Sequence, residues 1–251
     1  MIPDLSAFLS EFETEAAYRA ALPTNIAALK AQYGAITVDT AKPVAIDSPD
    51  HIQPRGTRDD NSYNRKFNAK LRALPLPKPL RVLDLGCSGG AMVRTFIEGG
   101  DLAVGIEGSD YSKVRGRAEW SVIPEFLFTA DVTAAFSVRR EGDPVWMDFS
   151  AVTLWEVLEH IHERDLYRLF DNIHGHLDWR GIIIASICTV EDVSNGVTIH
   201  QTVKPEKWWM EKLDALGWQN NPDMVAHFHP DWVRGYPNAP SSFHVVLTRK
   251  D

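Results

Sequence analysis

Apolar and polar positions follow one rhythm before residue 80 of this chain and another after it. In the first part, LSAFLSEFETEAAYRAALPTNIAALKAQY (residues 5–33) places apolar residues at helical spacing interrupted by Pro23, which predicts two helices rather than one. Residues 36–61 are rich in Pro, Asp, Thr and Gly, show no clear period, and predict an irregular arm. RKFNAKLRAL predicts a helix closed by the proline-rich PLPKP. From Leu80 onward, LRVLDL, LAVGIEGS, EFLFTAD, FSAVTLW and RGIIIASIC each fit a strand covered on both faces, with room between them for crossover helices. That alternation defines an α/β protein with a parallel sheet and helices on both sides. Near the end, KPEKWWMEKLDALGW predicts a helix. MVAHFH and SSFHVVLTRK, joined by a Pro-, Gly- and Asn-rich connection, predict an antiparallel hairpin at the sheet edge. The expected division is a helical arm and lid over residues 1–79 and an α/β domain over residues 80–251.

Composition narrows the function classes. With 251 residues, 44% of them hydrophobic and 24% charged, the chain has the makings of a globular domain with an extension. No apolar run approaches the ~20 residues of a bilayer span, and the N-terminus is acidic with no basic region ahead of an apolar core, so a cytoplasmic location is expected. A formal net charge of −8 disfavours a broad nucleic-acid surface, and a small-molecule partner is expected instead. Cys87 and Cys188 have no CxxC spacing, so both are expected to be reduced and packed. Oligomeric state is left open.

The densest chemistry lies in VLDLGCSGG, where an apolar strand runs onto Asp84 and then gives up side-chain volume at Gly86, Ser88, Gly89 and Gly90. In an open parallel sheet, ligands bind beyond the carboxyl ends of the strands. Glycine there lets backbone approach the ligand, although a plain strand-to-helix turn has the same composition. Glu107 closes the second strand and offers two acceptor oxygens to a ribose diol. Asp131 ends the third strand, in place to accept from an adenine amino group while Val132 packs the ring; a turn or cap aspartate is the other reading. A dinucleotide loop would want glycine at position 88, so an adenosine without a diphosphate fits better than a nicotinamide cofactor.

D-L-G-C-S-G-G, G-I-E-G-S-D, F-T-A-D-V-T and L-W-E-V-L-E-H-I, in that order, resemble the motifs of class I S-adenosylmethionine-dependent methyltransferases. The likeness runs over roughly residues 80–250. It implies a Rossmann-like, seven-stranded, mostly parallel sheet with an antiparallel last strand, together with the cofactor S-adenosylmethionine. By motif, Asp84, Gly86, Cys87 and Gly90 would surround its methionine part, Glu107 its ribose, and Asp131 and Val132 its adenine, with Gly108 and Ser109 also among the cofactor-binding residues. Trp155 and Glu156 would stand beside the sulfonium. A further resemblance, to bacterial methyltransferases of cell-surface glycan pathways, rests on the arm, E-G-S-D-Y-S, A-E-W and H-Q-T-V-K-P. It puts a sugar hydroxyl first among acceptors.

LWEVLEHIHERDL sets Glu156, Glu159 and His160 at i, i+3 and i+4, on one face if the segment is helical. Neutral histidine suits removal of a hydroxyl proton, with Glu159 or Glu156 to orient it. Two other readings of His160 stay open, a structural histidine and a ligand, with His200 and the two carboxylates, for a divalent metal. E-x-x-E-H with a distant histidine also resembles metal-dependent small-RNA 2′-O-methyltransferases and ubiquinone-pathway O-methyltransferases; no metal is predicted. His200 and Gln201 are candidates for the cleft wall, while Trp208 and Trp209 fit either wall or core. His162, His174 and His176 read as surface or cap residues, and His227, His229 and His244 as strand residues. His51, Arg55, Arg58, Asn61, Tyr63 and Asn64 of the arm are candidates to fold over the cofactor. The competing class is a non-catalytic cofactor binder.

Overall fold

The computed structural model describes residues 5–235 and 239–250, with side chains from residue 14. Helix α1 (Leu5–Tyr33) is followed by strand β1 (Ile36–Thr40), short helices α2 (Pro49–Ile52) and α3 (Arg55–Asp59), and α4 (Arg65–Ala73). Strand β2 (Arg81–Leu85), α5 (Ala91–Glu98), β3 (Leu102–Glu107), α6 (Tyr111–Val114) and β4 (Leu127–Thr129) come next. They lead to β5 (Phe136–Arg140), β6 (Phe149–Trp155), α7 (Leu166–His176) and β7 (Leu177–Cys188). A small ribbon, β8 (Val193–Ser194) and β9 (Val197–Thr198), precedes α8 (Glu206–Ala215), β10 (Trp218–Asn220), α9 (Pro222–Phe228) and β11 (Ser242–Arg249).

Seven strands form one sheet in the order β10-β11-β7-β6-β2-β3-β4. Strands β4, β3, β2, β6 and β7 are parallel, and β11 runs antiparallel to both of its neighbours. Every residue of β3 and β6 is buried, as expected where helices cover both faces of a parallel sheet. The chain steps outward from β2 through β3 to β4 and then returns to β6 on the other side of β2. The reversal opens a crevice at the carboxyl ends of β2 and β6.

All eight residues of α5 are buried, including two charged ones. Glu98 pairs with Arg94 and, at 2.5 Å, with Arg65; Arg94 also reaches Glu119 at 2.9 Å. Above this network Phe67 of α4 stacks on Phe228 at 4.8 Å and meets Trp155 edge-on at 5.1 Å, locking α4 and α9 onto the tip of β6. Among the described residues no helix is long and apolar enough to cross a membrane.

Four expectations are corrected. Helix α1 passes through Pro23 unbroken. Buried Leu22, Leu29 and Tyr33, and Asn25 Nδ2 donating to the carbonyls of Ile97 and Glu98, offset the roughly 3 kcal/mol cost of an interior proline. Residues 36–40 are not irregular: they pair antiparallel with β5. MVAHF is helix α9, not a strand; the Asn221 side chain accepts from Met224 N–H and Pro222 takes the first turn, a strong start signal. The edge hairpin exists, but its outer member is β10. The Pro-, Gly- and Asn-rich connection falls partly on residues 236–238, outside the described residues. Finally, His176 is neither surface nor cap, being fully buried and stacked on both Phe136 and Trp146.

Candidate cofactor pocket and active site

The turn after β2 is wound tightly. Gly86 has φ +78°, and a Cβ there would lie 2.5 Å from Val157 Cγ2, so only glycine fits. Gly90, at φ +88°, starts α5. Ser88 also takes a positive φ, +48°, and its side chain explains why a serine stands here. Its Oγ donates within reach of the carbonyls of Asp60 (2.9 Å) and Thr57 (3.1 Å), fastening the turn to the arm. Its N–H donates to Glu107 Oε2 at 2.7 Å.

Glu107 is buried at the end of β3 and also accepts from Ser109 N–H and Thr57 Oγ1, each at 3.3 Å. Burial raises its carboxyl above the usual range, against the pull of the Ser88 and Ser109 bonds. Asp84 accepts from Thr153 Oγ1 at 2.7 Å, and burial pushes it up to about 7. At the tip of β4, Asp131 Oδ1 accepts from Thr133 N–H and Oγ1, and Lys42 reaches Oδ2 at 3.4 Å.

These tips open on a cavity of about 1010 Å³. Residues 41–57 of the arm form its opposite wall. Ala45 N–H donates to the Gly108 carbonyl, Asp131 N–H donates to the Lys42 carbonyl, and Arg55 pairs with Asp192 beyond β7. Among the predicted residues, Gly86, Ser88, Glu107, Gly108, Ser109, Asp131, Val132, Trp155, Glu156, His160, His200 and Gln201 line the cavity. Asp84, Cys87, Gly90 and Glu159 stand behind it. Cys87 fills the space beside Gly105, and Gly90 faces Leu127 and Glu119. Trp209 is fully buried core, and Trp208 lies outside the cavity under Lys204 and Lys212.

The segment after β6 is not a helix presenting Glu156, Glu159 and His160 on one face. Glu156 takes φ +57°, its N–H bonds to Ser186, and only residues 158–160 form a single tight turn. The three side chains therefore diverge. Glu156 Oε2 accepts from Ser242 Oγ at 2.7 Å. Glu159 turns inward, fully buried, where Oε1 accepts from Cys188 N–H at 3.1 Å; burial pushes its carboxyl up to about 8. His160 Nδ1 lies 2.8 Å from Asp50 Oδ2, so its orienting acid comes from α2 and neither Glu159 nor Glu156. Burial pulls the imidazole down, yet the Asp50 bond and the surrounding carboxylate charges outweigh it and push it up to about 9. The His200 ring lies 4.7 Å from that of His160 and bonds through Nδ1 to the Val190 carbonyl at 2.6 Å; burial lowers its pKa.

Of the arm candidates, His51 reaches Ser109 Oγ at 3.3 Å and Asn61 Oδ1 accepts from Ala91 N–H at 3.0 Å. Asn64 caps α4, Tyr63 is exposed, and Arg58 pairs with its neighbour Asp59 on the surface. Sequence reasoning missed Asp50 and Thr57. Ser48-Pro49-Asp50 carries a signal for the first, because Ser48 Oγ caps α2 and brings Asp50 onto its first turn.

A parallel sheet that reverses at β2 and gathers acidic strand tips around one deep cavity defines a nucleotide-binding α/β architecture. The chain belongs to the methyltransferase domain family, whose model matches residues 59–229. In fold it is similar to the 1,6-didemethyltoxoflavin-N1-methyltransferase of Burkholderia thailandensis, solved with 1,6-didemethyltoxoflavin and S-adenosylhomocysteine. Identity is 17% over 80% of this chain and 84% of that one, with a TM-score of 0.56. It is also similar to an S-adenosylmethionine-dependent methyltransferase from Clostridium acetobutylicum, at 12% identity over 80% of this chain and 97% of that one, with a TM-score of 0.50. No curated protein matches the sequence.

Proposed function

We propose that this methyltransferase moves the methyl group of S-adenosylmethionine to a small polar acceptor, with a hydroxyl of a saccharide or related metabolite as the first choice. The observation that carries the reading is the meeting of the Gly86–Ser88 turn, Glu107 and Asp131 on one cavity. Glu107 would take a ribose hydroxyl: an ionised carboxylate has about four acceptor sites, three of them receive bonds from the protein, and one is left for the ligand. Asp131 and Val132 would hold the adenine, and Trp155 and Glu156 would flank the sulfonium. Asp84, Cys87 and Gly90 would support the methionine end from behind.

Charge supports the donor and a neutral acceptor. Lys42, Arg55, Arg164 and Arg234 on the wall are each paired with an aspartate, and Asp50 is paired with His160, while Asp47, Glu107 and Glu156 add negative field. Such a cavity attracts a cationic sulfonium and resists an anionic acceptor. Transfer is an in-line displacement: the acceptor oxygen forms the new bond to the methyl carbon, the carbon–sulfur bond breaks, and its electron pair stays on sulfur. His160 would accept the hydroxyl proton at Nε2, with Asp50 holding the proton on Nδ1. A sulfonium beside the imidazole opposes its protonation, so donor binding favours the neutral base.

Isothermal titration with S-adenosylhomocysteine tests the reading. The wild-type chain is expected to bind, and Glu107→Ala to weaken binding by roughly 10- to 100-fold, the loss of hydrogen bonds to a charged group. Absence of binding by the wild-type chain would overturn the assignment. Release of S-adenosylhomocysteine over a panel of polyols and saccharides then identifies the acceptor.

A further inference from the structure

We propose that Glu159, Cys188 and His200 form a binding site for a divalent transition-metal ion of the zinc or cobalt type at the floor of the cavity. Methyl transfer from a sulfonium needs no such ion, so this inference stands apart from the preceding reading.

One carboxylate oxygen, one sulfur and one imidazole nitrogen lie within 4.8 Å of one another there. The carboxylate supplies an independent sign of a missing partner. Glu159 is fully buried, and its Oε2 has no hydrogen-bond partner among the described residues. Such a group costs about 1–3 kcal/mol when nothing meets it. Its other oxygen is held by the N–H of Cys188, so one bond positions two of the three donors. The Cys188 sulfur lies 3.9 Å from the Val190 carbonyl and also meets the Ser242 hydroxyl.

The third donor is prepared in the same way. His200 Nδ1 donates to the Val190 carbonyl at 2.6 Å, which leaves Nε2 with its lone pair. A second-nitrogen bond to a backbone carbonyl is the outer-shell arrangement that orients metal-binding histidines. Gln201 and Thr202 N–H groups both donate to the Glu159 carbonyl, at 2.7 and 2.9 Å, fixing the segment that carries His200 against Glu159.

The donor set chooses the ion. Sulfur, nitrogen and oxygen together suit a borderline ion, whereas magnesium and calcium prefer oxygen alone. Three protein donors are typical of a tetrahedral site with one open place. Cys188 and His200 line the cavity, so that place faces it. Tetrahedral bonds would bring the donors to roughly 3.5 Å from one another, against present spacings that stay within 4.8 Å. Glu156, held by Ser242, and His160, held by Asp50, stay outside the set.

The test is a titration of the chelator-treated chain with cobalt(II), followed by displacement with zinc. One equivalent is expected to give visible d–d bands of a tetrahedral ion and a near-ultraviolet thiolate-to-cobalt band. Cys188→Ser should abolish the latter, and His200→Ala should weaken binding by more than the roughly 10- to 100-fold seen for outer-shell changes. Glu159→Gln, which keeps an acceptor for the Cys188 N–H, should weaken it likewise. Circular dichroism monitors folding, and the glutamine variant supplies the readout should either of the others fail to fold. A wild-type chain with no cobalt spectrum, or a thiolate band that persists in Cys188→Ser, would overturn the proposal.

Discussion

Gly86→Ala puts the cofactor turn under a defined load. Two costs are read from the structure: alanine at φ +78° sits where L-residues lose about 1–2 kcal/mol, and its Cβ would press 2.5 Å from Val157 Cγ2. Overpacking of that kind adds about 1–3 kcal/mol, for a total of roughly 2–5 kcal/mol. At about 2–4 °C per kcal/mol for a domain of this size, the melting midpoint should fall by roughly 4–20 °C. The two parts separate in a double-mutant cycle with Val157→Ala, which removes the clashing methyl and leaves the backbone cost. Differential scanning calorimetry of the four proteins should show the double variant regaining about 1–3 kcal/mol over the additive expectation. Strict additivity, or a Gly86→Ala midpoint indistinguishable from wild type, would refute the steric account of the turn.

Three further outcomes follow from buried polar groups. Asp84 titrates near 7 in the folded chain because burial raises it, so the neutral form is the favoured one. Its contribution is complete below the unfolded value near 4 and is lost as pH rises through about 7, for roughly 4 kcal/mol in all. Urea unfolding without ligand should show Asp84→Asn flattening that decline, and parallel pH profiles would contradict it. Glu98→Ala takes one carboxylate from Arg94 and Arg65, which keep Glu119 and Glu15, and should cost about 1.5–3 kcal/mol by chemical denaturation. His176→Phe keeps the stack on Phe136 but leaves the Val138 N–H, which bonds to His176 Nε2 at 3.0 Å, without an acceptor. A loss of about 1–3 kcal/mol and faster exchange of that amide by NMR are expected.

The sheet was legible because burial on both faces leaves strands as unbroken apolar runs, as in LAVGIE and FSAVTLW. Glu107 and Asp131 were legible for the same reason, because each closes such a run. Legibility failed where partners lie far apart in sequence. Asp50 meets His160 across 110 positions, and His176 is sandwiched by rings from two other segments. Four apolar or small residues in MVAHF fit strand and helix alike over so short a stretch, and only the preceding Asn-Pro pair separates them. The divergence of Glu156 and Glu159 arises from one backbone angle, φ +57° at Glu156, which residue spacing does not encode.

The strap from residue 41 to residue 60 has handholds on four loop tips: Lys42 on Asp131, Ala45 on Gly108, Thr57 and Asp60 on Ser88, and Arg55 on Asp192. The family match begins at residue 59, near the end of that strap. Chimeras spliced at the homology boundary would therefore sever a wall from the room it encloses. Recombination that keeps pocket shape has to carry the strap and the sheet as a single inherited block.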